Sequence, residues 1–217
     1  RVRTADVYVV TGNLTNAEPL KQELYDSNRR HINTTSDSEV LLNVFADELA
    51  RLTVNARVTP EIIFNAVRGV HKRVNGAYAC VALIAGKGML AFRDPYGIRP
   101  LCFGTKEESW GKDILIASES CVLDSQEFTL ERDVAPGEAI WIDLQGNIFT
   151  EQCAENPQLM PCAFEYVYLA RPDSVMDGIS IYGSRLRLGE YLADEVARTI
   201  PLSEIDVVMP IPDSSRP

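Results

Sequence analysis

The 217-residue sequence is poor in the residues that build most metal and acid–base sites. It has two histidines, His31 and His71, without metal-ligand spacing, which argues against a histidine-based metal centre. Five cysteines, Cys80, Cys102, Cys121, Cys153 and Cys162, are odd in number and scattered, and no Cys-x-x-Cys occurs. That usage fits a reducing compartment, with most of the thiols acting as small buried apolar groups. No apolar run approaches the ~20 residues of a membrane span, and no signal peptide is visible. Basic clusters are lacking too. Arg29-Arg30 and His71-Lys72-Arg73 are too short for a nucleic-acid patch, and 21 Lys and Arg against 31 Asp and Glu leave a net charge of −10. These absences leave an acidic, soluble, cytoplasmic protein with no nucleic-acid or membrane partner.

What is present is an ordinary globular composition, 46% hydrophobic and 24% charged, in a chain long enough to bury a sizeable core. The organising stretch is GAYACVALIAGKGMLAFRDPYGIRPLCFG, residues 76–104. Apolar and β-branched residues over 77–84, a Gly86-Lys87-Gly88 turn and a second run over 89–92 predict a hairpin. A second turn over 94–97 leads to a third strand, 100–103, expected to pair back. Runs this continuously apolar predict strands covered on both faces by helices or another sheet. Arg93, Asp94 and Arg99 surround Pro95 and Gly97, and the plainer reading is a rigid turn stitched by an Arg–carboxylate pair.

Upstream, a strand over 7–10 runs into Thr11-Gly12-Asn13-Leu14-Thr15-Asn16, read as a strand-to-helix turn, with Asn16 capping a helix over 18–26. The alternative at Gly12 is a backbone N–H aimed at a developing oxyanion. Ser36 and Glu39 make an S-x-x-E capping box opening a helix whose apolar face is Leu41, Leu42, Val44, Phe45 and Leu49. Asp37 then sits in a first helical turn, where negative charge is favoured. The alternative is a carboxylate that binds a ligand ammonium. Thr59 and Pro60 start a third helix, stopped at Asn75-Gly76. Strands follow over 114–117 and 139–142, with turns at 136–138 and 145–147. The texture changes at Gln152. A connector leads to a strand over 164–168, a loop over 171–174, a helix over 182–198 with Leu186, Leu192 and Val196 inward, and a strand over 207–209. Neither end reads as a domain terminus, so a piece of a longer protein is expected.

The segments GNLTNAEPLKQEL, RRHINTTSDSEVLLN, GAYACVALIAGKGMLAFRDPYGIRPL, DVAPGEAIWI and CAFEYVYLARPDS resemble the amidophosphoribosyltransferases (glutamine phosphoribosylpyrophosphate amidotransferases). The similarity runs from about Gly12 to Ser214. An R-D-P-x-G-I-R/K-P-L turn also occurs in asparagine synthetase, whereas FEYVYLARPDS discriminates between the two. The resemblance implies an α+β chain. Residues 1–150 would be a partial N-terminal-nucleophile glutaminase sandwich (αββα), truncated at its start. Residues 151–217 would be a connector and the first strand, helix and strand of an α/β phosphoribosyltransferase domain.

In such an enzyme an N-terminal cysteine attacks the glutamine amide with its own α-amino group as base. Ammonia then passes through a channel to phosphoribosylpyrophosphate and, with Mg²⁺, gives 5-phosphoribosylamine, the first step of de novo purine synthesis. The resemblance assigns an oxyanion N–H to Gly12, the glutamine α-amino group to Asp37, part of the ammonia path to Tyr168, and the start of the pyrophosphate loop to Pro212-Asp213-Ser214. It implies glutamine and phosphoribosylpyrophosphate as small-molecule substrates and a homo-oligomer at full length. The nucleophilic cysteine is expected upstream of Arg1, and the Mg²⁺ ligands outside this chain. Cys162 aligns with an iron–sulfur ligand of some members, but its partner ligands would lie downstream and no cluster is expected. The family's His-Asn-Gly-Asn-Leu reads Val10-Thr11-Gly12-Asn13-Leu14 here, so Thr11 replaces the oxyanion-hole asparagine. Losing one such donor costs about 2.7–4 kcal/mol of transition-state stabilisation. The alternative function is a non-catalytic remnant that binds glutamine or a partner chain.

Overall fold

The computed structural model describes residues 7–53, 57–109 and 111–211. β1 (Val7–Leu14) is followed by three helices, α1 (Ala17–Asn28), α2 (Asp37–Leu52) and α3 (Pro60–Arg73). β2 (Gly76–Ile84) and β3 (Gly88–Arg93) form the expected hairpin. β4 (Cys102–Glu108), β5 (Gly111–Ala117), the short helix α4 (Ser120–Ser125) and β6 (Thr129–Asp133) come next. β7 (Glu138–Asp143) and β8 (Ile148–Gln152) complete two antiparallel sheets, one ordered β1-β2-β3-β7-β8 and the other β5-β4-β6.

Strand alternation divides the apolar residues between two cores. Tyr78, Cys80, Ala82 and Ile84 of β2, with Leu90, Phe92 and Trp141, pack against Leu24, Leu41, Phe45, Ile63 and Val67 of the helices. The opposite face, Ala79, Ala91, Ile140 and Ile142, packs against Leu101, Phe103 and Val134 on the smaller-sheet side. Both faces of the central strands are therefore dry, which is why their sequences show no polar alternation. With α4 against β4, β5 and β6, its Leu123 fully buried, the layers are helix, sheet, sheet, helix. The α+β sandwich expectation holds.

Several local expectations change. The 100–103 strand does not pair back on β3; from Cys102 the chain pairs with β5 and β6 in the smaller sheet. Residues 11–14 are not a turn but the end of β1. Asn16 precedes α1 without a side-chain cap; its amide instead donates to the Arg73 carbonyl and accepts from the Asn75 N–H. Thr59 caps α3 as expected, accepting from the Ile62 N–H. Residues 164–168 are not a strand, since Glu165–Leu169 form a π-helix. Arg185 explains it by donating to the Tyr166 and Ala170 carbonyls (3.0 and 2.7 Å), so these groups are satisfied without a strand partner. A hairpin of β9 (Val175–Met176) and β10 (Ile179–Ser180) leads into α5 (Ile181–Thr199). Leu186 and Leu192 are not inward; both are exposed, and Ile181 is the buried residue of α5. Residues 207–209 carry no strand, and no strand among the described residues pairs with them.

Candidate functional site

The site begins with the pairing of β1 and β2. Gly12 lies opposite Tyr78, and Leu14 opposite Gly76. In an antiparallel pair, alternate residues direct both backbone groups at the partner strand, and the ones between direct them away. The Thr15 N–H donates to the Asn75 carbonyl, while Tyr78 exchanges hydrogen bonds with Asp94 on the far side of β2. The odd-numbered residues of β1 therefore face β2, and the N–H groups of Gly12 and Leu14 point out of the sheet's open edge.

Asp37 meets that edge. As the first residue of α2 it accepts the Leu14 N–H through Oδ2 at 2.7 Å. Its Oδ1 has no hydrogen bond among the described residues. Gly12 is two residues back along the same strand, about 7 Å at the usual rise, so an outward backbone donor and a carboxylate share one exposed edge. Gly12 is also sterically required, because a Cβ there would lie 2.1 Å from the Ala77 carbonyl oxygen. The expected functional pair is thus brought together, and the strand pairing independently demands the glycine.

The loop before Asp37 is tied by Glu39. Its carboxylate accepts the Asn33 and Thr34 N–H groups at 2.8 and 2.7 Å and the Thr34 hydroxyl at 2.7 Å. These contacts, with Asn33 N–H first, hold its pKa below the ordinary value. The expected reciprocal capping box is not formed. Ser36 accepts from the Ser38 N–H, and Glu39 reaches past Ser36 to close a strap over 33–36.

The R-D-P-x-G turn is built differently from the expected internal ion pair. Asp94 is fully buried, and its carboxylate accepts N–H groups from Tyr96, Ile98, Arg99 and Tyr78. Burial pushes its pKa up, and those four donors oppose the rise. Gly97, with φ of 57°, supplies the left-handed residue the turn needs. The Arg93 side chain, 1% exposed, donates to the carbonyls of Gly97, Arg99 and Val134 and forms a two-pronged pair with Asp177 at 2.8 and 2.9 Å. Arg99 pairs with Glu165 at 2.5 Å. Sequence reasoning missed Asp177, although Asp177-Gly178 carries the D-G hairpin signal.

Other expected positions stand apart. Tyr168 is exposed on the π-helix, and no contact among the described residues joins it to Gly12 or Asp37. The Thr11 backbone pairs with Ala79, while its side chain, like Pro212, Asp213 and Ser214, lies outside the described residues. Cys102 and Cys153 are buried thiols pushed up to about 12, which keeps them protonated and poorly nucleophilic. A cleft of about 410 Å³ at the strand ends is lined by His71, Lys72, Tyr96 and Glu155 among others, and by neither Gly12 nor Asp37. Among the described residues no group of three or more His, Cys, Asp or Glu could hold a metal ion, so no step is assigned to Mg²⁺ here. No described helix is long and apolar enough to cross a membrane.

The fold is a four-layer α+β sandwich with an outward glycine N–H beside an aspartate on its open edge, and its family match makes it a glutamine amidotransferase domain. The profile of the glutamine amidotransferase domain family matches residues 3–125, and the chain belongs to that family. It is 57% identical to amidophosphoribosyltransferase of Pseudomonas aeruginosa, over 94% of this chain and 41% of that protein. It is 51% identical to the Escherichia coli protein of the same name, over 94% of this chain and 40% of that one. A solved structure of glutamine phosphoribosylpyrophosphate amidotransferase from B. subtilis, complexed with ADP and GMP, superposes with a TM-score of 0.74 at 31% identity, covering 96% of this chain and 41% of that one. The chain thus spans about two fifths of the length of these bacterial relatives.

Proposed function

We propose that this chain is the glutamine-handling part of an amidophosphoribosyltransferase. Glutamine is hydrolysed at the open edge of β1, and the ammonia is passed to phosphoribosylpyrophosphate to give 5-phosphoribosylamine, opening purine synthesis. The observation that carries this reading is the shared edge of Gly12 and Asp37. A glutamine whose ammonium sits on Asp37 Oδ1, unbonded among the described residues, reaches along β1 toward the Gly12 N–H, where an oxyanion would form. Thr11 stands at the second oxyanion position. The attacking thiolate is not assigned to Cys102 or Cys153, whose burial disfavours the thiolate.

Residues 151–217 open the phosphoribosyltransferase portion in this reading. Its support is the apolar surface of α5, where Tyr191 and Leu192 are 72% and 64% exposed, a surface the remaining chain would cover. Asp213 and Ser214 belong to the pyrophosphate loop, Tyr168 to the ammonia path, and Mg²⁺ to ligands beyond this chain. A cytoplasmic homo-oligomer at full length completes the proposal. The test is Asp37→Asn in the full-length protein. The KM for glutamine is expected to rise roughly tenfold or more, as for loss of a charged hydrogen bond, with ammonia-dependent synthesis unchanged. A wild-type protein that makes no phosphoribosylamine from either nitrogen source would instead establish a non-catalytic remnant.

A further inference from the structure

The Arg93–Asp177 pair joins residues 84 apart in sequence and links the turn behind β2 to the hairpin before α5. On one side, Arg93 holds the turn whose Asp94 carboxylate binds the Tyr78 N–H, and Tyr78 is the β2 residue opposite Gly12. On the other, Asp177 sits in a left-handed conformation (φ 48°) at the tip of the β9–β10 hairpin. That hairpin roots α5: the Ile181 N–H donates to the Ser174 carbonyl, the Tyr182 N–H to the Pro172 carbonyl, and Ile181 is fully buried.

The seam is over-determined. Asp133 lies close to Asp177, whose charge helps burial push the Asp133 pKa up. Glu119 takes the Arg171 N–H and the Ser174 hydroxyl, at 2.7 and 2.8 Å. Ser120 accepts the Val175 N–H at 2.8 Å. The two-pronged Arg93–Asp177 pair carries this seam to the turn behind Gly12, which Arg99–Glu165 also ties to the π-helix. A guanidinium already bound by three carbonyls has one direction left for its fork, so Asp177 is held in angle as well as in distance.

We propose that Asp177 is a positioning residue for glutamine-dependent transfer, fixing α5 against the glutamine-handling sandwich so that glutamine consumed stays matched to product formed. This rests on the function proposed above. Asp177 touches no reacting atom; it acts through Arg93 and the root of α5.

The experiment uses full-length protein with Asp177→Asn and Asp177→Glu. Glutamine hydrolysis, ammonia-dependent synthesis and the product formed per glutamine consumed are each measured. Asp177→Asn should leave the first two within about twofold and lower the product-to-glutamine ratio about fivefold or more, the scale of a typical coupling energy. Asp177→Glu, which keeps the charge, should recover part of that ratio. An unchanged ratio in Asp177→Asn overturns the proposal. So does a parallel loss of all three readouts, because the pair would then be a determinant of folding alone. A wild-type protein inactive with glutamine would sink the functional reading instead, which separates the two failures.

Discussion

His71, partly buried between α3 and β2 at the edge of the cleft, stacks on Tyr78 and meets Phe92 edge-on, with Nδ1 2.8 Å from the Tyr78 hydroxyl. Burial lowers its pKa from 6.5 to about 4, against an opposing contact with the Gly137 backbone. The unfolded chain therefore takes up a proton near pH 6.5, which the folded protein refuses until about pH 4. Stability from the neutral imidazole is complete above pH 6.5 and falls as pH drops through that window, by about 3 kcal/mol at 1.36 kcal/mol per pH unit. Urea midpoints from pH 7 to 4 should decline, and His71→Gln should flatten that part of the profile. An equal decline in both proteins would show that other groups drive it. Glu39 offers a second test at this scale. Gln in its place cannot accept both backbone N–H groups of the 33–36 strap in the same way, so Asp37 should lose its fixed approach. In the full-length protein Glu39→Gln should raise the KM for glutamine about fivefold, the cost of a modest misplacement, while ammonia-dependent synthesis stays put. A KM equal to wild type would leave the strap without a part in binding.

At the scale of elements, the π-helix over Glu165–Leu169 depends on a residue sixteen or more positions away. Replacing Arg185 by Met keeps the apolar stem and removes both donors to the Tyr166 and Ala170 carbonyls. A charged hydrogen bond is worth about 1.5–3 kcal/mol net. The Ala170 amide, now bonded to the Glu165 carbonyl, should then exchange hydrogen at least about tenfold faster. Unchanged protection would mean that the segment holds itself. The same dependence explains why these residues read as a strand. Phe164-Glu165-Tyr166-Val167-Tyr168 has the aromatic and β-branched composition of one, and nothing local announces Arg185. Where structure follows from neighbours it was legible: the β2–β3 hairpin from its Gly-Lys-Gly turn, α3 from Thr59 and Pro60, the central strands from apolar residues on both faces. For Gly12 and Asp37 the residues alone left a plain turn and a first helical turn beside the binding readings, and only the family resemblance favoured the latter. Composition could not place them on one edge, because that edge depends on which β1 residues face β2. The Arg93 carbonyl cage was also hidden, since a buried guanidinium chooses acceptors from Gly97, Arg99 and Val134 wherever the fold brings them.

Across the whole molecule, burial is uneven in a way that can be tested. The two large cores draw on residues from Leu14 to Cys153. Beyond them lies a small cluster of Ala170, Met176 and Ile181, with Tyr166 against it. Past Ile181 no buried apolar residue is found among those described, and Val208 is 85% exposed. A 19-residue helix with so little tertiary packing is marginal by its own propensity, so it should open locally long before the sandwich does. Brief trypsin treatment of the 217-residue chain should therefore cut first after Arg187 and Arg198. The retained fragment should end near the root of α5, where the Asp177 and Glu119 contacts begin. In the full-length protein the same bonds should resist cleavage, because the remaining chain would cover the exposed face carrying Leu188, Tyr191 and Leu192. A first cut after Arg93, tied into the buried turn, would contradict this ordering of stability. Equal cleavage of α5 with and without the remaining chain would mean that its apolar face meets some other surface, and a second copy of the protein would be the next one to test.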